Sequence, residues 1–253
     1  MFGSELIEDR VRNPKQKGPA IVPFITAGYP HKDDFLSLVQ ALADCADVIE
    51  IGVPFSDPMA DGVTIQRSSH LAIENGVRLR WILNQLKTIS INTPIILMSY
   101  LNPLYVYGYT QLAQDSKDAG VDGFIVPDLP IEEGEELREI LKLAGLGMIQ
   151  LVTPATPEDR IKKIAAKSSG FLYAVTVKGV TGGNDGLPKE VTGYLEAVKA
   201  LTTIPVCAGF GVRSSSDVAL LEPLVDGVIV GSALVEAIEE QVSPVDFLTS
   251  LRA

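Results

Sequence analysis

Two carboxylates bracket one unusual stretch of this chain. Ile49 to Gly62 reads IEIGVPFSDPMADG, with Glu50 inside an apolar run and Asp61 at the far end of a loop. Strand side chains alternate, so Val48 and Glu50 share one face and Ile49 and Ile51 the other. If the isoleucines meet the helices of an α/β fold, Glu50 points into the sheet's interior. Burial disfavours a charged carboxylate and raises its pKa. A glutamate moved toward neutrality can both give and take a proton, as acid–base catalysis requires. The competing reading is a core salt bridge with a lysine or arginine distant in sequence. Asp61 and Asp57 each admit a plain alternative, because Asp-Gly is a common turn dipeptide and Asp-Pro suits a turn or helix cap. Pro54 and Pro58 each fix their own φ, so the segment between the two acids reads as a stiff positioning loop.

A second cluster lies late in the chain. Val177–Gly186 (VKGVTGGNDG), Gly209–Val212 (GFGV) and Gly231–Val235 (GSALV) each follow an apolar run. Glycines let backbone N–H groups approach a ligand, and a helix N-terminus attracts an anion. Together these segments read as a phosphate cradle, with three ordinary turns as the alternative. Tyr173, in FLYAVT, shares parity with Phe171 and Val175; a core tyrosine with one hydrogen bond describes it equally well.

The elements that must carry these residues alternate along the chain. Strand-like runs are Ala20–Thr26, Val48–Gly52, Ile95–Ser99, Gly123–Val126, Met148–Val152, Phe171–Val175, Pro205–Ala208 and Gly227–Val230. Helical patterns occupy Asp33–Leu42, Leu79–Ile89, Tyr109–Ala119, Glu132–Leu143, Pro157–Ala166, Glu190–Ala200, Ser214–Leu224 and Ser232–Glu240. Pro157 with Glu158 and Asp159 suits a helix first turn. Ser4–Val11 reads as an extra helix ahead of the first strand. Eight βα units in a chain of 253 residues predict a closed (β/α)8 TIM barrel, one domain, with residues 1–18 as a helical N-terminal extension and 19–253 as the barrel. An open doubly wound sheet is the rival, but the first strand ends in ITAGYP rather than a GxGxxG turn. In a barrel both candidate clusters fall on loops after strand C-termini, the active face.

Composition narrows the rest. The net charge of −11, with no long basic run, disfavours nucleic acid. No run of eighteen apolar residues suggests a membrane span, and Met1–Gly18 lacks a signal-peptide apolar core. Cys45 and Cys207 have no CxxC partner and read as reduced thiols, which points to the cytoplasm. His31 and His70 make no ligand pair, so no metal site is expected.

With these residues set out, the chain resembles the tryptophan synthase α subunit family from about Pro19 to Ile238. The resemblance is carried by IEIGVPFSDPMADG, by GVTG at Gly179–Gly182, GFG at Gly209–Gly211 and GSA at Gly231–Ala233, and by VPFITAGYP (Val22–Pro30) and MSYLNPLYVYG (Met98–Gly108). It implies a (β/α)8 barrel that cleaves indole-3-glycerol phosphate to indole and D-glyceraldehyde 3-phosphate, a retro-aldol reaction with no cofactor in this chain. By the same resemblance Glu50 protonates indole C3 and takes the glycerol hydroxyl proton, while Asp61 accepts the indole N–H. Tyr173 positions the reacting groups. Gly182, Gly211, Gly231 and Ser232 hold the phosphate. Phe24, Met98, Ile125 and Phe210 line the indole pocket, and Thr181 closes the site against Asp61. The implied partner is a β subunit, in an α2β2 heterotetramer, that uses pyridoxal phosphate of its own and faces Ser56–Pro58 and Asn102–Pro103. A stand-alone lyase releasing free indole, another phosphate-binding barrel and a non-catalytic activating barrel are the alternatives. Met59 and Met98 stand where leucine is frequent in the family, and VTPAT (Val152–Thr156) is a looser match.

Overall fold

The computed structural model describes residues 2–176, 187–209 and 211–252. Eight parallel strands among them close a barrel in sequence order, β1 against β8: β1 (Ala20–Thr26), β2 (Ile49–Gly52), β3 (Ile95–Met98), β4 (Gly123–Ile125), β5 (Gly147–Val152), β6 (Leu172–Val175), β7 (Val206–Gly209) and β8 (Gly227–Val230). The open doubly wound alternative is thereby excluded.

Buried on both faces, these strands divide their side chains by parity. Val22, Val48, Ile96, Ile125, Ile149, Phe171, Cys207 and Ile229 fill the inside. Ile21, Ile25, Ile49, Ile51, Leu97, Phe124 and Val228 face the helices. Ile49 and Ile51 do point outward, as the alternation around Glu50 predicts. The expected N-terminal helix is α1 (Gly3–Arg12), and it closes the barrel's lower end: Ile7 and Val11 join the interior cluster. Gly170 leaves the room for this plug, since a Cβ there would sit 2.8 Å from Ile7 Cγ2.

The remaining helices are α2 (Phe35–Cys45), α3 (Val63–Glu74), α4 (Leu79–Leu86), α5 (Leu101–Tyr107), α6 (Tyr109–Asp118), α7 (Glu135–Ala144), α8 (Glu158–Ala165), α9 (Lys189–Ala200), α10 (Ser215–Leu221), α11 (Ser232–Glu239) and α12 (Pro244–Ser250). Three of them escape the apolar periodicity. Helix α3 begins directly after the Asp-Gly pair that reads as loop. Helix α5 carries Pro103 in its first turn, where the missing N–H costs nothing. Helix α12 is short, with Ser243 capping Asp246 N–H at 3.3 Å. Two expected starts also shift. Residues 130–134 form a separate turn on the Pro130 carbonyl, so α7 starts at Glu135 rather than Glu132. Pro157 is the extended N-cap of α8 rather than part of its first turn.

A two-strand period appears at the barrel's N-terminal end. A polar side chain just before each even strand accepts the backbone N–H at the start of the preceding odd strand. Asp47 takes Ile21 N–H at 2.8 Å, Asp122 takes Ile95 at 3.0 Å, Ser169 takes Met148 at 2.7 Å and Asp226 takes Val206 at 2.8 Å. These clasps satisfy donors that the slanted parallel ladder leaves open at its edge. Asp47 does most: fully buried, it also accepts Lys15 N–H at 2.7 Å and the Arg252 guanidinium at 2.5 Å, tying both chain ends to the first two strands. Replacing Asp47 with alanine strands a guanidinium that is 8% exposed. We expect a loss of about 3 kcal/mol, the usual cost of breaking a buried pair from one side. Urea midpoints and slopes measure it; a loss below about 1 kcal/mol would mean that water reaches those donors.

Candidate active site

Glu50 is the second residue of β2, its Cα paired with Phe24 on β1 and Ile96 on β3. It is 1% exposed, and no described lysine or arginine pairs with it. Its Oε2 has no hydrogen-bond partner. The salt-bridge reading therefore fails among the described residues. An uncompensated carboxylate at this depth is costly. Burial first, and the nearby Asp61 charge second, push the Glu50 pKa up to about 8. At neutral pH it mostly holds its proton.

Asp61 lies on the loop that leaves β2 and is half-buried. Burial raises its pKa as well, but a hydrogen bond from the Tyr100 hydroxyl favours its charged form. Tyr100 anchors the whole loop. Its oxygen accepts Ala60 N–H at 2.9 Å, and its ring stacks on Phe55 with centroids 5.0 Å apart. This aromatic anchor and the two prolines restrain the loop. Asp57 stays on the exposed outer turn, accepting the Ser56 hydroxyl at 2.5 Å.

Tyr173 projects into the barrel from β6, half-buried beside Phe171. A Cβ at Gly209 would lie 2.6 Å from its hydroxyl, so the glycine on β7 makes room for the phenol. Burial, then the Glu50 charge, lifts its pKa well above 10, which keeps it a neutral donor. That coupling, with weaker coupling to Asp61, sets Tyr173 within electrostatic reach of both carboxyls.

An apolar cluster lines the mouth: Phe24, Tyr29, Ile65 and Val235, with Met98 packed against them. A Cβ at Gly52 would sit 2.5 Å from Phe24 Cζ, so that glycine admits the ring. Ile125 is fully buried with the interior cluster.

At the neighbouring strand ends, Gly211 adopts φ +71°, a left-handed backbone that suits glycine. Gly231 is the N-cap of α11, whose first residue is Ser232. The N–H groups of Ser232 and Ala233 precede the first bond of that helix, from Leu234 N–H to the Gly231 carbonyl at 2.9 Å, and can serve an anion. Gly182, Thr181 and Phe210 lie outside the described residues. Glu50, Asp61 and Tyr173 therefore face one apolar mouth, next to the N-terminus of α11. Tyr100, Tyr29, Ile65 and Val235 belong to the same mouth and escape sequence reasoning. Tyr100 had a signal, in that a tyrosine directly after a barrel strand lands on the active face.

Comparison with known proteins identifies the family. The family model described as "Tryptophan synthase alpha chain" matches residues 11–248. The tryptophan synthase alpha chain of Nitratidesulfovibrio vulgaris (strain DP4) is 43% identical over 237 residues, 92% of each chain. That of Roseiflexus sp. (strain RS-1) is 43% identical over 243 residues, 92% of this chain and 93% of the relative. Among solved structures, tryptophan synthase subunit alpha from Legionella pneumophila str. Paris superposes with TM-score 0.87 at 34% identity, covering 100% of this chain and 97% of that one. A chain of the Pyrococcus furiosus tryptophan synthase complex superposes with TM-score 0.81 at 38% identity, covering 92% and 96%.

Proposed function

The chain belongs to the tryptophan synthase alpha chain family, and from that premise we propose how it works. It is a lyase that cleaves indole-3-glycerol phosphate to indole and D-glyceraldehyde 3-phosphate in tryptophan biosynthesis. The observation that carries the mechanism is a buried Glu50, still protonated near neutrality, beside an Asp61 whose pKa burial also raises but whose charged form the Tyr100 hydroxyl supports.

In this reading Glu50 delivers its proton to indole C3. Asp61 accepts the indole N–H and offsets the positive charge that develops on the ring. The bond between C3 and the glycerol carbon then breaks. Its electron pair returns to the indole, and the hydroxyl on that carbon gives its proton to the Glu50 carboxylate as the aldehyde forms. Acid and base are thus one residue, reset at the end of the cycle. Unlike surroundings divide the labour between the two acids. Tyr173 orients the reacting hydroxyl as a neutral donor. The substrate phosphate takes the backbone of Gly182, Gly211 and Gly231 with Ser232, and the indole ring lies among Phe24, Met98 and Phe210 above Ile125, with Thr181 closing over it.

No organic cofactor is needed for these steps. The chain works as the α subunit beside a β subunit, and the α2β2 assembly named for Pyrococcus furiosus supports a heterotetramer here. Large exposed apolar side chains support a docking face on the loop after β2, the start of α3 and α5: Met59, Val63, Tyr105 and Val106 are all at least 70% exposed. Ser56–Pro58 and Asn102–Pro103 belong to the same two segments. Pyridoxal phosphate is assigned to the partner. The free thiols Cys45 and Cys207 suit the cytoplasm.

The test is indole release from indole-3-glycerol phosphate by the purified chain, with and without a β chain. We expect slow release alone and a rise of roughly tenfold or more with the partner, the size of ordinary coupling energies. Fast release indifferent to the partner would make it an autonomous lyase. No release under either condition from folded protein would overturn the catalytic reading.

A further inference from the structure

The acid loop and the anion-binding end of the barrel are joined by one carboxylate that the mechanism above does not use. Glu236 lies in α11, one turn below Gly231 and Ser232. Its Oε1 accepts the Thr64 hydroxyl at 2.9 Å, and its Oε2 pairs with the Arg213 guanidinium at 2.8 Å. Thr64 is in the first turn of α3. Asp61 is fastened to that same turn, because Gln66 donates its backbone N–H to the Gly62 carbonyl at 3.0 Å and its side-chain amide to the Asp61 carbonyl at 2.9 Å. Arg213 follows Gly211 in the β7 loop. One side chain therefore touches the turn that carries Asp61 and the loop that carries Gly211, from the helix whose N-terminus carries Ser232.

We propose that Glu236 is a positioning residue for the cleavage, holding Asp61 at a fixed distance from the phosphate cradle through Thr64 and Arg213. A substrate anchored by its phosphate meets Asp61 correctly only if that distance is fixed, and small misplacements of a reacting group are expensive in rate. The brace is separable from the fold. Helix α3 has independent attachments: Arg67 pairs with Glu239 at 2.5 Å, Glu239 accepts the Tyr29 hydroxyl at 2.6 Å, and Ser68 meets Thr26 at 2.6 Å. Thr64 and Arg67 thus face Glu236 and Glu239 as two rungs, and among the described residues the upper rung alone reaches the β7 loop.

The inference rests on the proposed reaction, and its test separates the two. The full chain is assayed on indole-3-glycerol phosphate and on indole-3-glycerol, which lacks the anchor. Glu236→Ala should lower kcat/KM on the phosphorylated substrate about tenfold, mostly in kcat, and change that on indole-3-glycerol less than about twofold. Thr64→Val should reproduce part of the loss and Thr64→Ser restore it. The Thr64→Val, Glu236→Ala double variant should be no worse than Glu236→Ala, as expected of partners in one contact. Equal losses on both substrates, or additive losses in the double variant, would overturn the brace. An unsubstituted chain that cleaves neither substrate would overturn the reaction itself.

Discussion

Glu50→Gln should abolish indole release while leaving the barrel folded, and it should make the protein more stable at neutral pH. Glutamine keeps the shape of the side chain and removes the transferable proton. General acid–base catalysis contributes roughly 10²–10⁴-fold, and Glu50 serves as both acid and base, so a loss of at least about 10³-fold in kcat is expected. The stability gain follows from linkage. Glu50 titrates at about 8 when folded and at 4.5 when free, so between those values the folded chain binds the extra proton. As pH rises from 4.5 toward 8, the wild-type carboxyl is increasingly forced to choose between burial and ionisation, and folding stability falls. Glutamine has no such choice. The variant should gain on the order of 3 kcal/mol at pH 7, with the difference vanishing below about pH 4. Denaturant titrations at several pH values measure this. Turnover within tenfold of wild type, or a variant that is less stable at pH 7, would remove Glu50 from its assigned place. Wild-type turnover should likewise decline as pH rises through about 8, where the acid loses its proton.

Asp61→Asn should be the second most damaging change, about 10²–10³-fold in kcat, the range found for removing one preorganised charge-stabilising group. Asparagine still accepts the indole N–H but offers no charge to the cationic ring. Its effect should therefore fall on kcat with little change in KM. It also removes one of the causes that raise the Glu50 pKa, so residual activity should titrate at a lower pH than in the wild type. Tyr100→Phe provides a milder comparison, since it leaves the Asp61 charge and deletes its hydrogen bond and that of Ala60. Robust turnover by Asp61→Asn, or an unshifted pH profile, would contradict the pairing of the two carboxyls.

Much of this chemistry is legible in the chain because it depends on local rules. Strand alternation alone aims Glu50 inward once Ile49 and Ile51 face the helices, and they do. The βα rhythm alone orders eight strands, and each observed strand falls within a residue or two of its expected bounds. What is missing from the sequence reading is missing for identifiable reasons. Helices α3, α5 and α12 are short or begin at residues that also form turns, and tertiary packing decides between the two. Tyr100 has no local signal of its importance beyond its position after a strand, because its partners Phe55, Ala60 and Asp61 come from the preceding βα unit.

The sequence by itself determined residue type, periodicity and order: an inward acid on β2, a proline-stiffened loop ending in a second acid, late glycines on successive strands, and a barrel to hold them. Tertiary structure alone decided who meets whom. Asp47 gains its role only because the closed barrel brings Lys15, Ile21 and Arg252 to it. Glu236 and Glu239 find their partners Thr64 and Arg67 only because α11 lies against α3. Periodicity operates over a few residues, so it can assign a side chain to a face. Desolvation and pairing depend on neighbours far away in sequence. The raised pKa of Glu50 exists only because the closed barrel removes water and brings Asp61, but no cation among the described residues, into range.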